Sequence, residues 1–114
     1  MSAMTFIIPV RHHQNMRSPS SFKRNLGHTL QSLVNQSSSS WNAVIICNSG
    51  TELPRYSDKI HVHTVDFAPH YHDFEDTSKI DEWRDAIRLD KGKRIQAGLR
   101  ACSLGEYVMF VDDD

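Results

Sequence analysis

The stretch Tyr107-Val108-Met109-Phe110-Val111-Asp112-Asp113-Asp114 is an apolar run that closes in three acids. It reads as a buried strand whose carboxyl end carries carboxylates. Side chains alternate faces along a strand, so Asp112 and Asp114 share one side and Asp113 takes the other. Two residues of rise separate that pair by about 6.5 Å at the Cα atoms. Their carboxylates can converge on one divalent cation at the rim of a sheet. Three negative charges this close repel one another, so a compensating cation is the natural partner. The alternative is a strand followed by a solvated acidic turn, and the stretch alone does not decide between them.

Working outward, the rest of the chain supplies the sheet. Thr5-Phe6-Ile7-Ile8-Pro9-Val10 is a second short apolar run. Pro9 has no N–H to give a ladder, so it should mark the end of that strand. The polar stretch 11–21, with Pro19, reads as a loop, and Ser20 or Ser21 is the expected cap of the helix that follows. Leu26, Leu30, Leu33 and Val34 then recur at helical spacing, giving an amphipathic helix through Gln36 with one buried stripe. Ser37-Ser38-Ser39-Ser40 ends it. Trp41-Asn42-Ala43-Val44-Ile45-Ile46-Cys47 is a third strand with Asn48-Ser49-Gly50 as its turn, and Ile60-His61-Val62-His63-Thr64-Val65 alternates as a fourth, half-buried strand. Asp81 to Leu89 has the spacing of a short helix. Asp90 is the expected cap of a separate helix from 91 to about 103, with Ile95, Leu99 and Cys102 along one face, and Gly105 breaks it before the last strand.

Apolar strands separated by helices favour parallel pairing with right-handed crossovers. The fold class expected is therefore α/β: a Rossmann-like, open, mainly parallel sheet of about four strands with flanking helices. Segment 66–90 is long for a connection in a compact domain and is expected to be an insertion or a mobile loop. In an open parallel sheet, ligands bind beyond the carboxyl ends of the strands, where the winding direction switches. Three such ends matter: Pro9-Val10-Arg11, Asn48-Ser49-Gly50 and Asp112-Asp113-Asp114. They lie along one rim if the first strand sits between the second and the last in chain order.

Composition excludes several classes. A chain of 114 residues is expected to form one domain at most. Its formal net charge of -1 leaves no basic footprint for nucleic acid. No run is long enough to span a membrane, and the amino terminus lacks a signal-peptide pattern, so a cytoplasmic location is expected. Two cysteines, Cys47 and Cys102, far apart in sequence, read as reduced and buried.

Four segments carry a family resemblance: FIIPV at Phe6 to Val10, NLGHTLQSLVNQ at Asn25 to Gln36, WNAVIICNSG at Trp41 to Gly50, and KGKRIQAGLRACSLGEYVMFVDDD from Lys91 to Asp114. In this order and spacing they resemble the nucleotide-binding half of a family-2-type glycosyltransferase with the GT-A fold. The resemblance implies a nucleotide-diphosphate sugar donor and an acceptor that the sequence does not identify, a glycan or another molecule. It implies that Pro9, Val10 and Arg11 cradle the base, with Asn48 standing where the family usually has an acid. An amide both donates and accepts, whereas a carboxylate only accepts, so the base preference is open. It further implies that Lys91 and Arg94 lie close to the nucleotide and that Asp113 reaches the ribose. Asp112 and Asp114 would hold Mn2+ or Mg2+, a hard cation suited to carboxylate and phosphate oxygens. The family's acceptor site and general base follow the acids, so this chain is expected to be a truncated, inactive part of such an enzyme. A sheet cut there is expected to expose an edge open to self-association.

Two other readings remain open at this level. One is a non-catalytic nucleotide- or metal-binding module that needs a partner chain. The other is a receiver-like signalling domain, which fits less well because its acids belong to a strand near the start of the chain. GxxxxGK[ST] is absent, which excludes a P-loop NTPase. The histidines have no zinc spacing; His61 and His63, and the group His70, His72 and Asp73, read better as solvated or partly packed faces. Trp41 and Trp83 read as packing residues.

Overall fold

The structure is a computed structural model, and it describes residues 3–16, 18–36, 40–54, 56–69, 80–101 and 104–111. Four strands, β1 (Met4–Pro9), β2 (Trp41–Asn48), β3 (Ile60–Val65) and β4 (Tyr107–Phe110), form one sheet in the order β3-β2-β1-β4. Every pairing is parallel. Among the described residues, two α-helices complete the α/β fold: α1 (Pro19–Val34) between β1 and β2, and α2 (Ile80–Ala101) between β3 and β4; a single 3-10 turn spans His13–Asn15.

The alternation of side chains along β1 and β2 divides the core in two. Phe6, Ile8 and Val10, with Ala43, Ile45 and Cys47, pack against Leu26 and Leu30 of α1. Ile7, Val44 and Ile46 point the other way and meet Ile95 and Ala97 of α2. The helices therefore cover opposite faces. Right-handed crossovers produce this arrangement when the chain winds one way from β1 to β3 and then returns past β1 to β4. The winding direction switches between β1 and β4.

Local chemistry explains the element bounds and corrects several expectations. Helix α1 starts at Pro19, and its cap is Ser18, whose Oγ accepts from Ser21 N at 3.3 Å. Neither Ser20 nor Ser21 is the cap. Proline suits the first helical position, because the N–H it lacks has no partner there anyway. Of the expected stripe, Leu26 and Leu30 are buried, whereas Val34 at the end of the helix is 44% exposed. The two helices expected on either side of Asp90 are one helix of 22 residues. Asp90 is not a cap; it lies inside α2 and pairs with Arg94 one turn on. Within segment 66–90, residues 80–90 are regular helix, as the spacing of Asp81 to Leu89 predicts, and residues 70–79 lie outside the described residues.

Helix α2 turns Trp83, Arg94 and Gly98 inward, and Leu99 stays exposed. Gly98 sits where a Cβ would lie 2.7 Å from Ile46 Cδ1 and 3.1 Å from Ile7 Cγ2, so its lack of a side chain sets how closely α2 approaches the sheet. Strand β4 is not the buried strand its apolar run suggests. It lies at the sheet edge, and Tyr107, Val108, Met109 and Phe110 are all exposed. The reason is positional: α2 covers β1 and β2, and apolar content does not by itself bring a layer over an edge strand. Among the described residues, no helix is long and apolar enough to cross a membrane.

Candidate functional site

The carboxyl ends of β2, β1 and β4 form one continuous rim. Val10 N donates to Ile46 O at 2.8 Å, which ties the chain leaving β1 to β2. On the other side, Val111 N donates to Ile7 O at 2.9 Å, so the chain leaves β4 beside β1. Pro9 ends β1 as expected, Pro9 and Val10 are buried, and Arg11 is exposed on the rim. Asp112, Asp113 and Asp114 lie outside the described residues, as do His70, His72, Asp73 and Cys102.

A tight turn follows β2. Thr51 N donates to Asn48 O at 3.1 Å, and Gly50 takes φ +89°, a left-handed conformation that glycine adopts without strain. His13 stands beside this turn, its Cε1 3.9 Å from where a Cβ on Gly50 would lie; its ring is tilted against that of His12 with centroids 4.3 Å apart, and His12 Nδ1 accepts from Gln14 N at 3.0 Å. The turn expected at Asn48-Ser49-Gly50 is therefore present and stands at the rim.

Arg94 is fully buried, the charged side chain with no exposure among the described residues. Its Nε donates to Asp90 Oδ2 at 2.8 Å, and its Nη2 donates to Asp90 Oδ1 at 3.2 Å and to Asn48 Oδ1 at 2.6 Å. Asn48 Nδ2 donates in turn to Phe67 O at 2.7 Å, and the guanidinium lies 5.4 Å from the centroid of the Phe67 ring. Three elements thus meet at one charge: the end of β2, the segment after β3, and the middle of α2. A buried guanidinium is stable only when its charge and its donors are matched. The two-point contact with Asp90 supplies the charge.

Two of the expected site residues, Asn48 and Arg94, are brought into direct contact. Both ends of the Asn48 amide are engaged within the protein. Lys91 stands one turn before Arg94 and is exposed. The sequence reading missed Asp90 and Phe67 as members of this cluster. The spacing of Asp90 and Arg94, four residues apart, is the signal that could have found the first; nothing local marks Phe67.

The same charge acts on Cys47, which is fully buried from the opposite face of β2. Burial pushes its thiol pKa up; the positive charge of Arg94 and a hydrogen bond with Thr51 pull the other way without cancelling the rise.

Among the described residues, no group of three or more His, Cys, Asp or Glu side chains could hold a metal ion. The residues that the resemblance assigns to a metal are outside that set. A groove of about 300 Å3 between α1 and the segment before β3, lined by Leu30, Val34 and Tyr56 among others, lies toward the amino ends of the strands, away from the rim. No family model, no curated protein and no solved structure matches this chain.

Proposed function

We propose that this chain is the donor-binding half of a metal-dependent glycosyltransferase and takes a nucleotide-diphosphate sugar at the rim. The observation that carries the reading is the strand order. With β1 between β2 and β4, the winding switch falls where β4 delivers its chain end, and a switch point is where open α/β sheets bind nucleotides. On this reading Pro9, Val10 and Arg11 border the base, and Asn48 acts by holding Arg94. Lys91 and Arg94 supply positive charge on the diphosphate side, and Asp113 meets the ribose. Asp112 and Asp114 would hold Mn2+ or Mg2+, which would neutralise charge developing on the diphosphate leaving group. The chain would work in the cytoplasm, where a buried thiol such as Cys47 stays reduced.

Calorimetric titration with a panel of nucleoside diphosphates, with and without Mn2+, tests this reading. The expected result is Mn2+-dependent binding of one of them, lost in Asp114→Ala. No binding across the panel overturns the proposal. The edge strand supports a second, independent expectation of self-association, because β4 ends the sheet among the described residues and exposes Val108, Met109, Phe110 and the ring of Tyr107. Sedimentation velocity should show concentration-dependent association that weakens in Met109→Lys.

A further inference from the structure

Arg94 has one group for which the fold gives no use. Its Nε and Nη2 are bonded, but Nη1 is buried and has no hydrogen-bond partner. A donor left unmade in a buried site is unfavourable, and more so when it carries charge. What stands against this guanidinium is the ring of Phe67, which offers a π face but no lone pair. Phe67 is itself only half-buried. Its backbone is anchored at the rim by Asn48 Nδ2, which donates to Phe67 O at 2.7 Å, so the ring can move while the main chain stays. The segment lies just beyond the point where β3 ends and Ser49 N donates to Val65 O at 3.2 Å.

We propose that Phe67 is a displaceable cover over Arg94, which gives way when a diphosphate reaches the rim. The exchange is favourable in kind. A cation–π contact is weaker than a charge-assisted hydrogen bond from guanidinium to a phosphate oxygen, and the phosphate supplies the acceptor that Nη1 lacks. Asp90 and Asn48 keep the guanidinium in place during the exchange, so only the ring has to move. The cover also accounts for a fully buried arginine at a rim that should receive an anion. This inference rests on the reading of the rim as a diphosphate site and adds a closed state to it.

The test uses the full chain and inorganic pyrophosphate as probe, so it needs neither a nucleotide nor a metal. If the covered state outweighs the open one by about ten to one, Phe67→Ala should bind pyrophosphate about tenfold more tightly than the wild type. Adding Arg94→Gln should abolish that gain. Unchanged affinity in Phe67→Ala, or a gain that survives Arg94→Gln, overturns the cover. A second measurement is independent of these variants' folding: solvent exchange of the Arg94 Nη1 protons, the ones with no partner in the closed state, followed by low-temperature NMR in wild type and Phe67→Leu. Faster exchange in the leucine variant supports the cover, and equal rates overturn it. Failure of the nucleotide titration together with a pyrophosphate gain would remove the glycosyltransferase reading and leave the cover standing.

Discussion

The two faces of the sheet are built on different principles. The α1 face is dry: Phe6, Ile8, Ala43 and Ile45 meet Leu26 and Leu30 with apolar surface throughout. On the α2 face a smaller apolar group, Ile7, Val44 and Ile46, gives way toward the rim to the cluster of Asn48, Arg94 and Asp90. Apolar packing is non-directional and tolerates small shifts. A buried ion pair holds its partners in one geometry and is unforgiving when one of them is lost. The contrast suggests a division of labour, with the α1 face supplying stability and the α2 face fixing the position of a charge.

That contrast can be broken one substitution at a time. The largest effect is expected for Asp90→Ala, which strands the buried guanidinium and should cost about 4 kcal/mol in chemical denaturation. Replacing both partners, Asp90→Leu with Arg94→Met, should recover about half of that loss, because no unpaired charge remains, although Asn48 loses its donor. A double variant no more stable than Asp90→Ala would show that the pair is not what destabilises the single one. Next comes Leu30→Ala on the dry face, expected to cost about 3 kcal/mol through lost burial and a cavity. Gly98→Ala should be milder. Its new methyl group crowds Ile46 and Ile7, and the better helix propensity of alanine offsets part of the strain, so a net loss of about 1 kcal/mol is expected. A stabilised Gly98→Ala would mean that α2 sits less tightly on the sheet than its geometry indicates.

The smallest effect concerns Cys47 and appears only at alkaline pH. Its thiol is raised above the ordinary 9.0 by burial, so the folded state holds the proton to higher pH than the unfolded chain does. The stabilising contribution is complete below the ordinary value and is lost as pH rises from there through the raised folded value. Wild type should therefore lose stability above about pH 9 relative to Cys47→Ala, and alkylation of native Cys47 should stay slow where unfolded chain reacts. Equal pH profiles for the two proteins would count against the burial argument.

How much of this was legible beforehand follows the same division. The apolar runs of β1 and β2 and the Leu26–Leu30 stripe announced the dry face, because period and polarity there agree. Strand β3 was readable to the residue, since Ile60 to Val65 alternates between flanking turn residues. The α2 face was readable only in part. Ile95 and Trp83 pack as expected, but the inward side also holds Arg94 and Gly98, with Asp90 half-buried beside them, residues that a pattern search assigns to solvent, breaks and caps. Only their mutual contacts, set by tertiary packing, turn them into a buried surface. The exposure of β4 was missed for a related reason. Its composition is that of a core strand, and edge position is a property of the whole sheet. The rim itself was anticipated from topology, since the ends of β1 and β2 and the chain leaving β4 adjoin as the strand pattern required. The acids beyond β4 lie outside the described residues.

The central claim is that ligand binds at the rim formed by the carboxyl ends of the strands. The most direct measurement is paramagnetic broadening of backbone amide signals by Mn2+, with a bound nucleoside diphosphate. The account predicts that Val10, Arg11, Ser49 and Val111 broaden, while Thr5, Trp41 and Asn42 at the amino ends stay sharp. Uniform broadening, or broadening concentrated at the amino ends, would contradict it.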